Sequence, residues 1–183
     1  MELTPLDPKL LPPIAYASPK GVPPPHPRRF EAVRNLENLN RPERGLWCSP
    51  VTAWSVNGTP IGTAWTDWCA TPDELTGQPS AYHGTYTQIS AVEPLSEARI
   101  YLIDTADDLD RLVAAFPLTL DHPMRRTAPD WEAMVAAGWD AVYASAAGVA
   151  VNAERFVTVV PSLSGWDCPS VLWLRPTYRL ATL

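Results

Sequence analysis

At 183 residues the chain is long enough for one domain with a real core and an appendage. Its net charge of −6 and pI near 5.0 argue against a nucleic-acid-binding protein, whose footprint is a basic patch. No apolar run approaches the length of a membrane span and the N-terminus shows no secretory signal, so a soluble, cytoplasmic protein without membrane or nucleic-acid partners is expected.

Residues 1–27 carry nine of the 21 prolines. Proline removes an N–H and fixes φ, so this stretch is expected to be extended rather than helical or a central strand. It reads as a docking arm, with Leu3, Leu6, Leu10, Leu11, Ile14 and Tyr16 as apolar anchors, lying either on its own domain or on a neighbouring subunit. Residues 30–34 (FEAVR) read as a first strand or the start of a helix, and residues 35–44 as a polar loop ending in RPER. Arg28, Arg29, Arg34, Arg41 and Arg44 cluster here; such a group either meets a phosphate or another anion, or is solvated surface.

Residues 45–69 hold four of the eight tryptophans and two of the three cysteines. Tryptophan brings a large contact area and an N–H that needs a partner, so this density marks the floor of a core or the wall of a cleft. Ser49, Thr52, Thr63, Thr66 and Asp67 are the polar groups a cleft needs. Residues 45–49 lean to β and stop at Pro50, Asn57-Gly58 signals a turn, and residues 63–70 form a helical piece with Trp65, Trp68 and Cys69 on one face.

Residues 82–92 alternate in the manner of a strand, and residues 98–103 (ARIYLI) make the clearest strand. Thr105 caps a helix with Asp107 and Asp108 in its first turn, an apolar face of Leu109, Leu112, Val113 and Phe116, and a stop at Pro117. After a loop at 118–128, a second helix starts at Pro129 or Asp130, with Trp131, Met134 and Val135 inward and Gly138 as its stop. Strands are expected at 139–145, 156–160 and 170–174, with a small-residue loop or weak strand at 146–153. Short strands that do not alternate with long helices exclude a doubly wound sheet. The expected fold is α+β: a split, mainly antiparallel β-sandwich over residues 28–183 with two short helices at one side, plus the extended N-terminal arm.

Cys48, Cys69 and Cys168 lack CxxC spacing, and His26, His83 and His122 are scattered, so free buried thiols and surface histidines are expected rather than a zinc set or a nucleophile–base pair. There is no GxGxxG, Walker loop, HExxH or GxSxG. One pattern stands out by order and spacing: GLW-C-S-P, then W-x-x-W-C, a strand ending in IYLID before an acidic helix, W-x-x-M-V-A-x-G-W-D-A-V, and G-W-D-C-x-S-x-x-W. Across residues 30–175 it resembles a family of small proteins of actinobacteria and their phages, themselves similar to the catalytic fold of ADP-ribosyltransferases.

That resemblance implies a split β-sandwich holding NAD in a cleft between its sheets, and transfer of ADP-ribose to a macromolecule. By position Arg34 would grip the dinucleotide, Ser49 would shape the nicotinamide pocket, and Asp167 would stand where the family carries its catalytic glutamate. Trp47 or Trp65 would stack on a ring. The residue types suit the chemistry, since a guanidinium holds a phosphate by paired hydrogen bonds and a carboxylate supports positive charge as nicotinamide leaves. Each has a structural alternative: Arg34 pairing with Glu31 or Glu37, Ser49 bonding a turn, Asp167 capping the last long strand, and the tryptophans serving as core.

A role of another class also fits. The proline arm, the acidic surface and the absence of a complete catalytic set suit a non-catalytic phage virion or assembly protein. Such a decoration or minor structural subunit would join a homo-oligomer or a larger assembly through a protein partner docked on residues 1–27.

Overall fold

A computed structural model describes residues 3–23, 26–36, 39–73, 76–119, 127–155, 163 and 165–181. In chain order the elements are β1 (Ile14–Pro19), β2 (Arg34–Leu36), β3 (Leu39–Glu43), β4 (Leu46–Trp54), β5 (Pro60–Thr63), α1 (Ala64–Ala70), β6 (Tyr86–Pro94) and β7 (Ile100–Ile103). They continue with α2 (Ala106–Ala115), β8 (Pro117–Thr119), β9 (Thr127–Pro129), α3 (Trp131–Ala136), β10 (Ala141–Ala144), α4 (Ala146–Arg155), β11 (Ser170–Trp173) and β12 (Tyr178–Leu180). The architecture is α+β. One eight-stranded sheet runs β12-β6-β1-β4-β11-β10-β7, with β5 paired to β4 off this path, and every neighbour is antiparallel except β10 with β7. A parallel pair needs a crossover, and α2 and α3 provide it.

The sheet curls so that its two halves share a core. Along β11, Val171 and Trp173 point into a cluster with Ile14 and Val92 from the other half, while Leu172 and Leu174 point to the helices. The outer cluster joins Leu109, Leu112 and Val113 of α2 to Trp131 and Met134 of α3, as their spacing predicts. Both helices start as expected: Thr105 and Asp108 cap α2 reciprocally, and Asp130 accepts from Ala133 N–H at 2.8 Å. Asp140, buried beneath, ties three strands. Its carboxylate accepts from Arg99 N–H at 2.8 Å, its carbonyl accepts from Leu174 N–H at 2.8 Å, and Arg175 approaches the carboxylate at 3.4 Å.

The largest correction concerns the N-terminus. The segment is extended, but its residues Ile14–Pro19 are no appendage: β1 lies inside the sheet, with β6 along one edge and β4 at the start of the other. Only Pro13 and Pro19 bound it, and the five residues between keep their N–H groups, so proline density nearby did not prevent pairing. Upstream, Leu6 N–H bonds the Ile100 carbonyl at 2.8 Å and covers the edge of β7, while Leu11 enters the inter-sheet core. What residues 3–19 dock on is therefore their own domain.

Smaller corrections have local causes. The 35–44 stretch is a hairpin, β2 with β3, rather than a loop. β4 runs through Pro50 instead of stopping there. Val51 N–H bonds Pro13 on the β1 edge, so by alternation the Pro50 nitrogen faces the other edge, in the gap between β11 pairing at Cys48 and β5 pairing at Val51. The 146–153 stretch is helix α4: Ser145 accepts from Gly148 N–H at 3.1 Å, and Gly148 fits because a Cβ there would strike the Ile103 carbonyl. The described ends of the 118–128 loop pair as β8 and β9, and the expected strand at 156–160 lies outside the described residues. Among the described residues, no helix is long and apolar enough to cross a membrane.

Because β1 joins the two halves, a chain lacking residues 1–19 is expected to lose its cooperative thermal transition. One lacking only residues 1–13 should fold with a lower melting temperature. Circular dichroism melts check both, and a full-length-like melt of the shorter chain would mean that β1 does not hold the sheet together.

Candidate functional site

β1 and β4 pair only at Ile14 with Pro50 and at Ala15 with Ser49, and then part. Tyr16 and Ala17 continue along β6, while Trp47 and Cys48 stay with β11. The gap is a cavity of about 190 Å³ between the half-sheets. Its walls come from β1, β4 and four further segments: Arg41 on β3, Trp65 at the start of α1, Tyr86 on β6, and residues 165–168 leading into β11.

The Trp47 ring forms one wall. It meets Trp166 edge-on at 4.7 Å, and Trp166 stacks on Trp131 of α3 at 6.0 Å, so a row of indoles runs from the cavity into the helix-side core. The Trp166 indole N–H is buried and has no acceptor among the described residues. Trp65 also lines the cavity, stacked on Trp68 at 5.1 Å and edge-on to Tyr86 at 5.7 Å. Such pairs hold their rings in set orientations, so the cavity is an aromatic-lined slot.

Three polar groups stand in this slot. The Ser49 hydroxyl is buried and accepts from the backbone N–H of Trp65 at 3.3 Å. It thereby satisfies one of the free N–H groups at the start of α1 and keeps its own proton to donate. The Arg41 guanidinium lies over the Trp47 ring, 4.8 Å from its centroid, a cation–π contact that holds it at the rim. The Asp167 carboxylate is exposed at the same rim, between buried Trp166 and Cys168.

Of the residues singled out from sequence, Trp47, Ser49, Trp65 and Asp167 line this one cavity. Arg34 does not. It is exposed on β2, opposite Glu43, and its neighbour Asn35 is bound to the start of α3. Asn35 donates to Asp130 at 2.7 Å and accepts from Trp131 N–H at 3.0 Å. That tether holds β2 on the helix side, and the guanidinium at the cleft comes from Arg41 on the other strand of the hairpin. The signal was present in RPERG directly before LWCS; what the chain order concealed is that these residues fold back as a hairpin.

Cys168 also lines the cavity, but it is poorly suited to act as a nucleophile. Burial raises its thiol first, with Asp167 adding to the rise; the bond to Ser170 and the Arg41 charge oppose it, and the thiol is pushed up to about 11. Cys48 is raised further by burial, and Cys69 is raised by the same cause. All three are free and buried, as expected.

No protein-family model, curated protein sequence or solved structure matches this chain.

With its pKa raised, the Cys168 thiol stays protonated at neutral pH. At pH 8 about one such thiol in a thousand is ionised, so alkylation of the folded protein by iodoacetamide should be slow. The rate should climb about tenfold per pH unit between pH 7 and 9. The stability linked to the shift is present below the ordinary thiol range and is lost as pH rises toward about 11. Fast labelling of Cys168 at pH 7 would show that the thiol is not desolvated.

Proposed function

We propose that the protein binds NAD in this cleft and transfers its ADP-ribose to a macromolecular acceptor. The observation that carries the reading is the meeting of a guanidinium, a hydroxyl and a carboxylate, from Arg41, Ser49 and Asp167, in one slot lined by Trp47 and Trp65. At about 190 Å³ the cavity is smaller than a whole drug-sized ligand needs, so the nicotinamide end enters it and the remainder extends beyond the rim. The aromatic walls suit a planar ring, and the Ser49 proton suits its carboxamide oxygen.

Each residue then has a task. Trp47 and Trp65 orient the ring, and Arg41 steers the phosphates as they pass the rim. Asp167 faces the bond between the anomeric carbon and the ring nitrogen. As that bond breaks, its electron pair leaves with nicotinamide, and the carboxylate stabilises the positive charge left on the ribose. The acceptor nucleophile closes the new bond and gives up a proton. The carboxylate is an aspartate, one methylene shorter than glutamate, so the anomeric carbon must come closer to the chain here.

A second reading, a non-catalytic phage virion or assembly subunit, draws on the β4–β5 hairpin. Trp54, Val56 and Ile61 are exposed there, and residues 51–63 carry no charge. Copurification with particles in fixed stoichiometry, lost on changing these three residues to serine, is the result expected on that reading.

For the enzymatic reading, incubation with labelled NAD and lysate should give labelled macromolecules and released nicotinamide. Asp167→Asn should lower turnover about 100- to 1,000-fold while NAD affinity stays within a few-fold. Absence of transfer, of NAD hydrolysis and of saturable NAD binding would remove this reading.

A further inference from the structure

A second cavity, of about 350 Å³, adjoins the cleft and shares Tyr16 and Trp47 with it. Its distinctive groups are Arg29 and Arg44, against a single carboxylate, Glu31. Arg44 approaches Glu31 at 3.3 Å, while the Arg29 guanidinium has no carboxylate partner among the described residues. The chamber therefore carries a net positive charge in a chain whose total is −6.

The backbone supplies an independent observation. Arg44 has φ 69°, and it is the one non-glycine residue in the left-handed region among the described residues. Gly45 follows at φ 75°, and there glycine is obligatory, since a Cβ would stand 2.7 Å from the Trp173 carbonyl oxygen. At Arg44 nothing comparable requires an arginine for the fold, and glycine would adopt the conformation without strain. Backbone strain of this kind concentrates at binding sites, and here it lies on the wall of a cavity.

We propose that this outer chamber is an anion subsite for a diphosphate, held by Arg29 and Arg44. It deepens the NAD reading and rests on it for the ligand's other end: with the ring in the inner cavity, the diphosphate would pass between Tyr16 and Trp47 into the outer one. Two guanidiniums can each present paired N–H groups to phosphate oxygens. The ion pair with Glu31 is largely solvated and contributes little, so a doubly or triply charged anion displaces that carboxylate readily.

Calorimetric titrations with sodium pyrophosphate and, separately, with nicotinamide test each chamber by itself. Wild type should bind pyrophosphate with an affinity that falls as salt rises. Arg29→Ala and Arg44→Gly should each weaken it at least tenfold and leave nicotinamide binding unchanged. Arg44→Gly relieves the backbone, so its melting temperature should be no lower than that of wild type. A wild type that fails to bind pyrophosphate, or variants that bind it as wild type does, would overturn the subsite. If pyrophosphate binds through both arginines while nicotinamide does not bind at all, the anion subsite stands and the NAD reading falls.

Discussion

Two adjacent strands that share only two residue pairs set the terms for everything else in this protein. Had β1 and β4 stayed together past Ala15 and Ser49, the sheet would be continuous and the space between its halves closed. Beyond those pairs β1 continues with β6 alone through Pro19, and Leu46–Cys48 of β4 continue with β11 alone. The backbone edges so parted leave a gap that side chains line. Tyr16, Trp47, Trp65 and Tyr86 supply the side chains, and their flat, rigid shapes leave a slot rather than a filled core.

The polar groups of the slot also belong to the framework. Ser49 caps the start of α1 and so fixes Trp65, Arg41 lies on Trp47, and Trp47 leans on Trp166, which stacks on α3. A change at any of them moves the others, so their effects on binding and on stability will be coupled rather than additive. Asp167 differs. It is exposed, with its fixed neighbours Trp166 and Cys168 on either side, and it can respond to a ligand without disturbing the core. The thiols follow the same division, since burial keeps them protonated and leaves them as packing groups.

The hairpin of β2 and β3 distributes the basic residues to different faces. Arg34 faces away from the cleft beside a strand tied to α3, Arg41 reaches the rim of the inner cavity, and Arg44 at the hairpin's exit turns into the outer one. The turn of direction at Arg44 and Gly45, both with positive φ, leads the chain into β4 beside β1 and leaves the Arg44 side chain exposed on the wall of the outer cavity. Charge sorting of this kind cannot be inferred from a run of five arginines within 17 residues.

Local chemistry was enough to specify much of this chain. The spacing of Leu109, Leu112 and Val113, the caps at Thr105 and Asp130, and the tryptophan density of residues 45–69 each depend on neighbours a few positions away, and so α2, α3 and an aromatic wall could be read directly. Trp47, Ser49 and Trp65 stood together in that segment, whereas Asp167, 120 residues beyond Trp47, carries no local sign of joining them. Three things waited for the tertiary structure: that a proline-bounded stretch of five residues is an interior strand, that Arg41 rather than Arg34 reaches the cleft, and that small residues after Ser145 form a helix. For β1 and Gly148 the deciding partners lie far away along the chain — Ala91 and Ser49 for β1, Ile103 for Gly148 — while Arg41 reaches Trp47, six residues on, only because the hairpin sets its direction, and a contact that exists only after folding leaves no mark on the local pattern.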